Sequence, residues 1–434
     1  MRRPEIETPQ LRSRERRRRL FDNIGSLYLL QGVNYVIPMA VLPYLVRVLG
    51  MEAYGLVAFA QSFAQYFNVL TDYGFNFSAT RSIAQNRDDV EKISEIFCSV
   101  FLIKLCLTAV GLIVLLCLLL VVPRMRHDWT TYVFAFVAVI GNVLFPVWFF
   151  QGIEKMRYIS LISGTTKVIS AVLLFVFVHR PADELLAVAI QSAGMVLAGV
   201  IGLAVCLGTI HVDLQWPSWG SLKTYSVDGW HLFVSTASVS LYTNTNVFLV
   251  GLIAGNVQAG YFSAAEKLIR AISGLIGPIN QSVFPFISTL ARTSSQAALA
   301  FIGPCLKWMS GLTLVPVIIM FFFARPIAVL CFGQSAAGAV PIMRWIAPLP
   351  FLIAVSNVLG IQTMLVFGLD KQFSRILISA GIANLLLGAP LILWLGARGA
   401  GISVLVTETM VTLMMIIVLR NNGITIPLRL KTAV

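Results

Sequence analysis

The sequence predicts an all-α integral membrane protein with twelve transmembrane helices in two six-helix lobes, and three observations carry that prediction. The 434-residue chain is 58% hydrophobic and only 12% charged, whereas soluble domains run at about 45–50% apolar and about 25% charged. It contains twelve apolar runs, each about the 20 residues that a helix needs to cross a bilayer. Landmarks of the first half also return in the second in the same order. Gly50, Gly55 and Ala60 recur as Gly255, Gly260 and Ala265, Lys104 and Pro123 as Lys307 and Pro326, and Gly152-Ile153-Glu154-Lys155 as Gly368-Leu369-Asp370-Lys371. Several matches with a slowly drifting offset indicate an internal duplication.

A basic arm over residues 1–22 comes first, with eight arginines in its first 19 residues. An arm of this kind before a membrane helix retains itself inside and can touch anionic headgroups. The net charge of +13 is therefore a topology anchor and calls for no nucleic-acid partner. The apolar stretch behind it is too long for a signal peptide. The first expected lobe, 23–210, holds runs near 24–46, 54–76, 96–122, 131–150, 158–178 and 185–209. A linker over 211–228 follows, with Trp216-Pro217-Ser218-Trp219 as a hinge or, more simply, an interfacial aromatic anchor. The second lobe, 229–434, holds runs near 229–253, 261–284, 299–323, 341–367, 374–396 and 399–419 and a short tail. The runs 54–76 and 261–284 are the weakest, because they carry Asp72 and the group Glu266, Lys267 and Arg270. The repeat supports both.

With the N-terminus inside, the inside segments hold 20 Lys and Arg residues and the outside segments 6, an asymmetry that puts both termini in the cytoplasm. Six spans per lobe make the repeats parallel, related by an axis along the membrane normal. The loops are short, so no globular catalytic domain is expected among them.

Local chemistry is sparse. The six cysteines lie in or beside apolar runs without a CxxC pair, and the four histidines have no metal-like spacing, so no metal or other cofactor is expected. No GxSxG, P-loop, GxGxxG or HExxH occurs, which leaves hydrolysis and nucleotide binding without local support.

Function should then rest on polar groups at membrane depth, each costly unless paired or facing water. Lys104, Lys167 and Lys307 are such groups, with Asp72, Glu408 and the Glu266-Lys267-Arg270 cluster. Lys104 and Lys307 could snorkel to the surface, or, standing at matching places, flank one anion-accepting cavity. Glu266 and Arg270 are spaced i, i+4 and can neutralise each other, which leaves Lys267 about 100° around the helix to meet an anion. Glu408 falls where the first half has Gln191; a buried carboxylate there either couples transport to an ion or stays neutral and hydrogen-bonded. Asn142 and Asn357, each followed by Val-Leu, and Thr243-Asn244-Thr245-Asn246 suit hydrogen bonding between helices more than substrate contact.

These residues also carry a family resemblance. Leu45-Val46-Arg47-Val48-Leu49-Gly50 with Tyr54-Gly55, then Asp72-Tyr73-Gly74-Phe75 and Ala79-Thr80-Arg81 with Ile83-Ala84, resemble the start of bacterial polysaccharide flippases of the Wzx type. Those belong to the multidrug/oligosaccharidyl-lipid/polysaccharide exporter superfamily. The two Gly-x-acid-Lys turns and Gly399-Ala400-Gly401 are similar to the family's pattern too. The resemblance implies two six-helix lobes around a central cavity that opens alternately to each side of the bacterial inner membrane. Its substrate would be an undecaprenyl-diphosphate-linked oligosaccharide, flipped to the periplasmic leaflet for O-antigen, exopolysaccharide or capsule assembly. A polysaccharide polymerase and a chain-length regulator are candidate partners beside membrane lipid. Arg47, Asp72 and Arg81 match the family's recurring positions. With Lys104, Lys267, Arg270 and Lys307, the two arginines make a candidate substrate-binding set, and Asp72, Glu266 and Glu408 a candidate ion-coupling set. A drug or cation antiporter of the same superfamily is the alternative, marked by a more acidic cavity; a membrane glycan polymerase or ligase is the rival from the enzymes.

Overall fold

The computed structural model describes residues 9–210, 213, 215–274 and 277–427, with the helical path alone over 9–31. Among the described residues every regular element is helical. Helix α1 (Pro9–Asp72) bends at Gly50, whose φ of 78° and ψ of 172° interrupt the helix, a conformation open to glycine and strained for other residues. Gly74 (φ 74°) turns the chain into α2 (Phe75–Gln85). Helix α3 (Val90–Val121) is capped by Asp89, whose side chain accepts from the Lys92 amide, meeting one of the orphan donors of a helix start. Short α4 (Pro123–His127) leads to α5 (Trp129–Leu144), which stops ahead of Pro146, as expected of a residue without an amide hydrogen. Then come α6 (Val147–Gly152), α7 (Met156–Phe177) and α8 (Glu184–Ile210).

The second half runs through α9 (Trp219–Ala254), α10 (Asn256–Gly274), α11 (Gly277–Thr293), α12 (Ser295–Phe322), α13 (Ala324–Phe332), α14 (Ala339–Ile346) and α15 (Leu349–Leu359). A π-helical stretch, Gly360–Leu365, follows, and then α16 (Asp370–Leu395) and α17 (Ala397–Asn421). Of the stretch expected as a linker, residues 211, 212 and 214 lie outside the described residues. From Trp219 onward it is helical, capped by Ser218, and the Ser221 hydroxyl donates to Glu95 of α3 at 2.6 Å. The start of α9 is thus docked on the first half, and Trp216 and Trp219 are exposed beside it.

Nine stretches among the described residues are long and apolar enough to span a membrane, against twelve runs expected. The first two runs share the continuous α1 and count as one, Val36–Gln85. The seventh lies in the 36-residue helix α9, in which the apolar stretch Asn244–Ala254 follows side chains at 241–243 that lie outside the described residues. The eighth falls on α10 and α11, with residues 275 and 276 between them outside the described residues, and α10 carries the charged triplet Glu266, Lys267 and Arg270. Exposed apolar side chains such as Leu120, Trp308, Leu386 and Trp394 stud the outer faces, which suits a bundle whose solvent there is lipid.

The duplication is visible in the backbone. Gly255 (φ 97°, ψ 172°) repeats the conformation of Gly50. The interruption at Pro146 falls where the second half has its π-helical stretch. The halves meet reciprocally across α1 and α10: a Cβ on Gly55 would overlap the Asn256 carbonyl, and one on Gly260 would overlap the Met51 carbonyl. Asn256 is the repeat mate of Met51, as Gly260 is of Gly55, so the same contact is made twice about a local pseudo-twofold axis. One apolar cluster crosses this seam, with Val46, Phe59, Phe262, Ala265 and Met343. Phe248 of α9 stacks on Phe59 and Phe63 of α1 with ring centroids 5.5 and 5.8 Å apart.

Candidate functional site

Four of the membrane-depth charges are consumed in pairs. Lys104, on α3, is 1% exposed, and its ammonium sits 3.1 Å from the Asp72 carboxylate at the end of α1. Asn142 of α5 also donates to Asp72, at 3.4 Å. An ammonium this enclosed needs a counter-charge, and with Asp72 already supplying it no surface is left for an incoming anion. On α10, Arg270 donates to Glu266 at 2.9 Å, the i, i+4 pairing that the spacing predicts.

Lys267 is arranged differently. It stands exposed on α10 with its ammonium 5.3 Å from the ring centroid of Tyr54, within cation–π range, and the Tyr54 hydroxyl lies 3.3 Å from the Ser263 hydroxyl. Both Tyr54 and Lys267 line a cavity of 540 Å³ between α1, α5, α7 and α8. Its walls are mostly apolar, with Val41 and Leu42 from α1 and Ala171 and Leu174 from α7. Polar groups enter at few points: Asn142, Gln191, a short Ser/Thr row on α7, and Lys167, the twelfth of the 22 residues of that helix. Gln191 accepts from Gln61 at 3.0 Å and donates to the Ala187 carbonyl, also at 3.0 Å, which fixes α8 to α1 at the cavity edge.

The other expected site residues stand apart. Arg47 donates through Nε to the Cys331 carbonyl at 3.1 Å and through a terminal nitrogen to the Leu330 carbonyl. It thereby serves the carbonyl end of α13, where a cation is favoured by the helix dipole. Arg81 is exposed on α2 and Lys307 on α12. Glu408 is half-buried on α17, engaged with its surroundings. The structure does not bring Lys104 and Lys307 together at this cavity. One is sealed against Asp72, the other lies on the exposed apolar face of α12 with Leu314 and Ile318, and the cavity has neither in its lining. Of the Thr/Asn cluster on α9, Thr245 accepts from the Tyr66 hydroxyl of α1 at 3.0 Å and joins two helices.

The comparisons with known proteins accord with this architecture. The family described as "Polysaccharide biosynthesis protein" matches residues 20–291. The chain belongs to this family. A relative named "Putative O-antigen transporter" from Escherichia coli (strain K12) is 36% identical over 401 residues, 92% of this chain and 96% of the relative. A protein of the same name from Shigella dysenteriae is 30% identical over 401 residues, 91% of this chain and 98% of its own. Among solved structures, the inward-facing conformation of a multidrug resistance MATE family transporter of the MOP superfamily aligns with a TM-score of 0.69 at 15% identity, over 92% of this chain and 97% of that one. Lipid II flippase MurJ in its inward closed conformation aligns at 0.67 and 10% identity, over 91% and 86%. These two share the fold with this member of the family, and the family assignment agrees with the motif resemblance.

Sequence reasoning singled out Lys267 for a free cation and Lys167 for its depth, but not their common cavity. That cavity needs α7 and α8 set against the bend of α1, a juxtaposition for which no local motif stands.

Proposed function

We propose that this protein translocates undecaprenyl-diphosphate-linked oligosaccharide repeat units from the cytoplasmic to the periplasmic leaflet of the bacterial inner membrane by alternating access, and is a transporter with no catalytic step of its own. The observation that carries this reading is the charge of the cavity: its lining contributes Lys167 and Lys267 and, among the described residues, no carboxylate. A site that holds only cations in an apolar surround favours an anionic ligand, since a cationic one would meet like charge at low dielectric. This argues against the drug or cation antiporter. The names of the relatives and the flippase among the fold neighbours support a lipid-linked saccharide.

In this reading residues 23–210 and 229–434 are the two lobes, the cytoplasmic side is the one richer in Lys and Arg, and the reciprocal glycine seam closes the periplasmic side. The physical task is to shelter a diphosphate and many hydroxyls from a core in which each unsatisfied polar group costs several kcal/mol, while the polyprenyl tail stays in lipid. Mass spectrometry of polyprenyl-linked intermediates, with leaflet accessibility, in cells lacking the gene tests this. Complete single repeat units should accumulate on the cytoplasmic side. Single units reaching the periplasmic side unpolymerised would mark a polymerase, and an unchanged lipid pool would mark a drug or ion exporter.

A further inference from the structure

We propose that the second half holds a site for an anionic phospholipid in the cavity beside the α16–α17 turn, with Arg398 on the headgroup phosphate and the acyl chains along the exposed face of α16. This lipid is a resident of the bilayer and not the cargo. The cavity, of 350 Å³, is enclosed by Gln258 and Tyr261 of α10, Gly338 ahead of α14, and Trp394, Leu395 and Arg398 about the α16–α17 turn. Its size lies within the range of about 300–1,000 Å³ typical of ligand sites.

The backbone shapes this cavity. Gly396 turns the chain at φ 60° and ψ −139°, a conformation open to glycine, and so brings Arg398 beside α10. The Ala397 amide donates to Oε1 of Gln258 at 3.2 Å, which ties the turn to α10 and leaves the amide NH2 as the part of Gln258 that can serve a ligand. The Tyr261 ring packs on Gly338 so closely that a Cβ there would come within 2.6 Å of it.

Charge selects the head of the ligand. Arg398 is exposed and, among the described residues, makes no ion pair. The chain has no Asp or Glu between Glu266 and Asp370 or between Asp370 and Glu408, and Asp370 stands at the opposite end of α16. A guanidinium so placed matches phosphate, which its planar fork can grip with two parallel hydrogen bonds. The helix face selects the tail. Ile378, Ile382, Leu386 and Leu393 are each 44% exposed or more and fall within an arc of about 80° on α16. Trp394, 83% exposed, stands where this stripe approaches the cavity, and tryptophan is favoured at a membrane–water interface. A free phosphate would leave the stripe uncovered, and an uncharged lipid would leave Arg398 without a counter-charge. An anionic phospholipid meets both.

The first half supplies a control. Its repeat-related cavity, of 530 Å³, has Ala53, Leu56 and Ala182 where the second half has Gln258, Tyr261 and Arg398, and its lining holds Glu52, Asp128 and Glu184 and, among the described residues, no Lys or Arg. The sign of the site therefore belongs to the second half and is not imposed by the fold. A headgroup on Gln258 and Arg398 together would brace α17 against α10, two residues from the seam glycine Gly260.

The test uses the full-length purified protein, delipidated in detergent, with binding read by native mass spectrometry and four probes: dioleoyl phosphatidylglycerol, dioleoyl phosphatidylcholine, glycerol phosphate and digalacturonate. Phosphatidylglycerol should bind about tenfold or more tightly than each of the others, and Arg398→Gln should weaken it by about tenfold or more, the loss expected when a charge-assisted contact goes. Arg126→Gln, which removes an exposed arginine of the first half, should leave binding unchanged. Equal binding of phosphatidylcholine would make this an apolar lipid contact, equal binding of glycerol phosphate an anion site only, and tighter binding of digalacturonate a site for acidic sugar; each overturns the proposal. An Arg126→Gln loss as large as that of Arg398→Gln would mark diffuse surface charge and overturns it too. If a variant fails to fold, a diazirine-bearing phosphatidylglycerol decides on the wild-type chain: labelling of α10, α16 or α17 about the cavity supports the site, and labelling confined to other helices overturns it. Glycan export plays no part in these readouts, so the outcome is independent of the transport reading.

Discussion

Lys104 and Lys307 occupy matching places in the two halves, yet one is sealed in the protein and the other lies on its exposed face. Lys104 has Asp72 3.1 Å away, with Asn142 donating to the same carboxylate. The repeat mate of Asp72 falls at Gly277, preceded by Leu275 and Ile276, so the second half offers Lys307 no acid at that register. A buried ammonium is tolerable only with its counter-charge. Where the carboxylate is present the lysine turns in and pins α3 to α1; where it is missing the lysine stays on the surface of α12 among apolar side chains, with its ammonium free to reach the interface. The duplication copied a position, and the partner decided what the position became.

The comparison breaks most directly at Asp72. Asp72→Leu leaves the Lys104 ammonium buried and unpaired, which should destabilise the protein by about 3–5 kcal/mol. Lys104→Met combined with Asp72→Leu should recover most of that loss, because a well-packed apolar pair often replaces a buried ion pair at little cost. Thermal unfolding of the purified variants in one detergent reads both. A single variant no less stable than the double would show that the pair does not hold α3 to α1.

The glycine seam is the contrary case, a place where the copies kept one environment. Gly55 and Gly260 each face a carbonyl from the other half, so Gly55→Ala and Gly260→Ala should each cost about 1–3 kcal/mol through overpacking, and by similar amounts. The double variant should cost less than the sum, since parting α1 from α10 once relieves both overlaps and residues in contact do not add. A thermodynamic cycle over the four proteins measures this. Strict additivity would show that the two glycines do not share one seam.

Much of this fold is legible in the sequence because lipid makes the constraints severe: apolar runs of spanning length and a repeat in register identify the helices and their duplication. Gly50 and Gly255 are repeat landmarks in the sequence, but their left-handed φ is visible only in the fold. The Gly-x-acid-Lys turns show the limit. In the first, positive φ falls on Glu154 while Gly152 packs on Ile83 and Arg87 pairs with Glu154 at 2.9 Å; in the second it falls on Gly368, with open space around it. Two turns of the same Gly-x-acid-Lys pattern took different conformations, and α2 packs against the first. The site was legible in part for the same reason. Spacing alone predicts that Glu266 and Arg270 pair and that Lys267 is left over, whereas the fate of Lys104 turned on a residue 32 positions away.

Lys307 gives the smallest expected effect and the sharpest check on that reasoning. It shares the exposed apolar face of α12 with Leu314 and Ile318, so Lys307→Met removes no buried partner, and surface substitutions of this kind usually fall within about 0.5 kcal/mol. Unfolding temperature, abundance and glycan export should all stay at the wild-type level. Lost export at normal abundance would place the ammonium in the transport path and return the two lysines to a shared role. An unchanged phenotype beside a destabilised Asp72→Leu would mean that only the lysine with a carboxylate partner acquired a structural task.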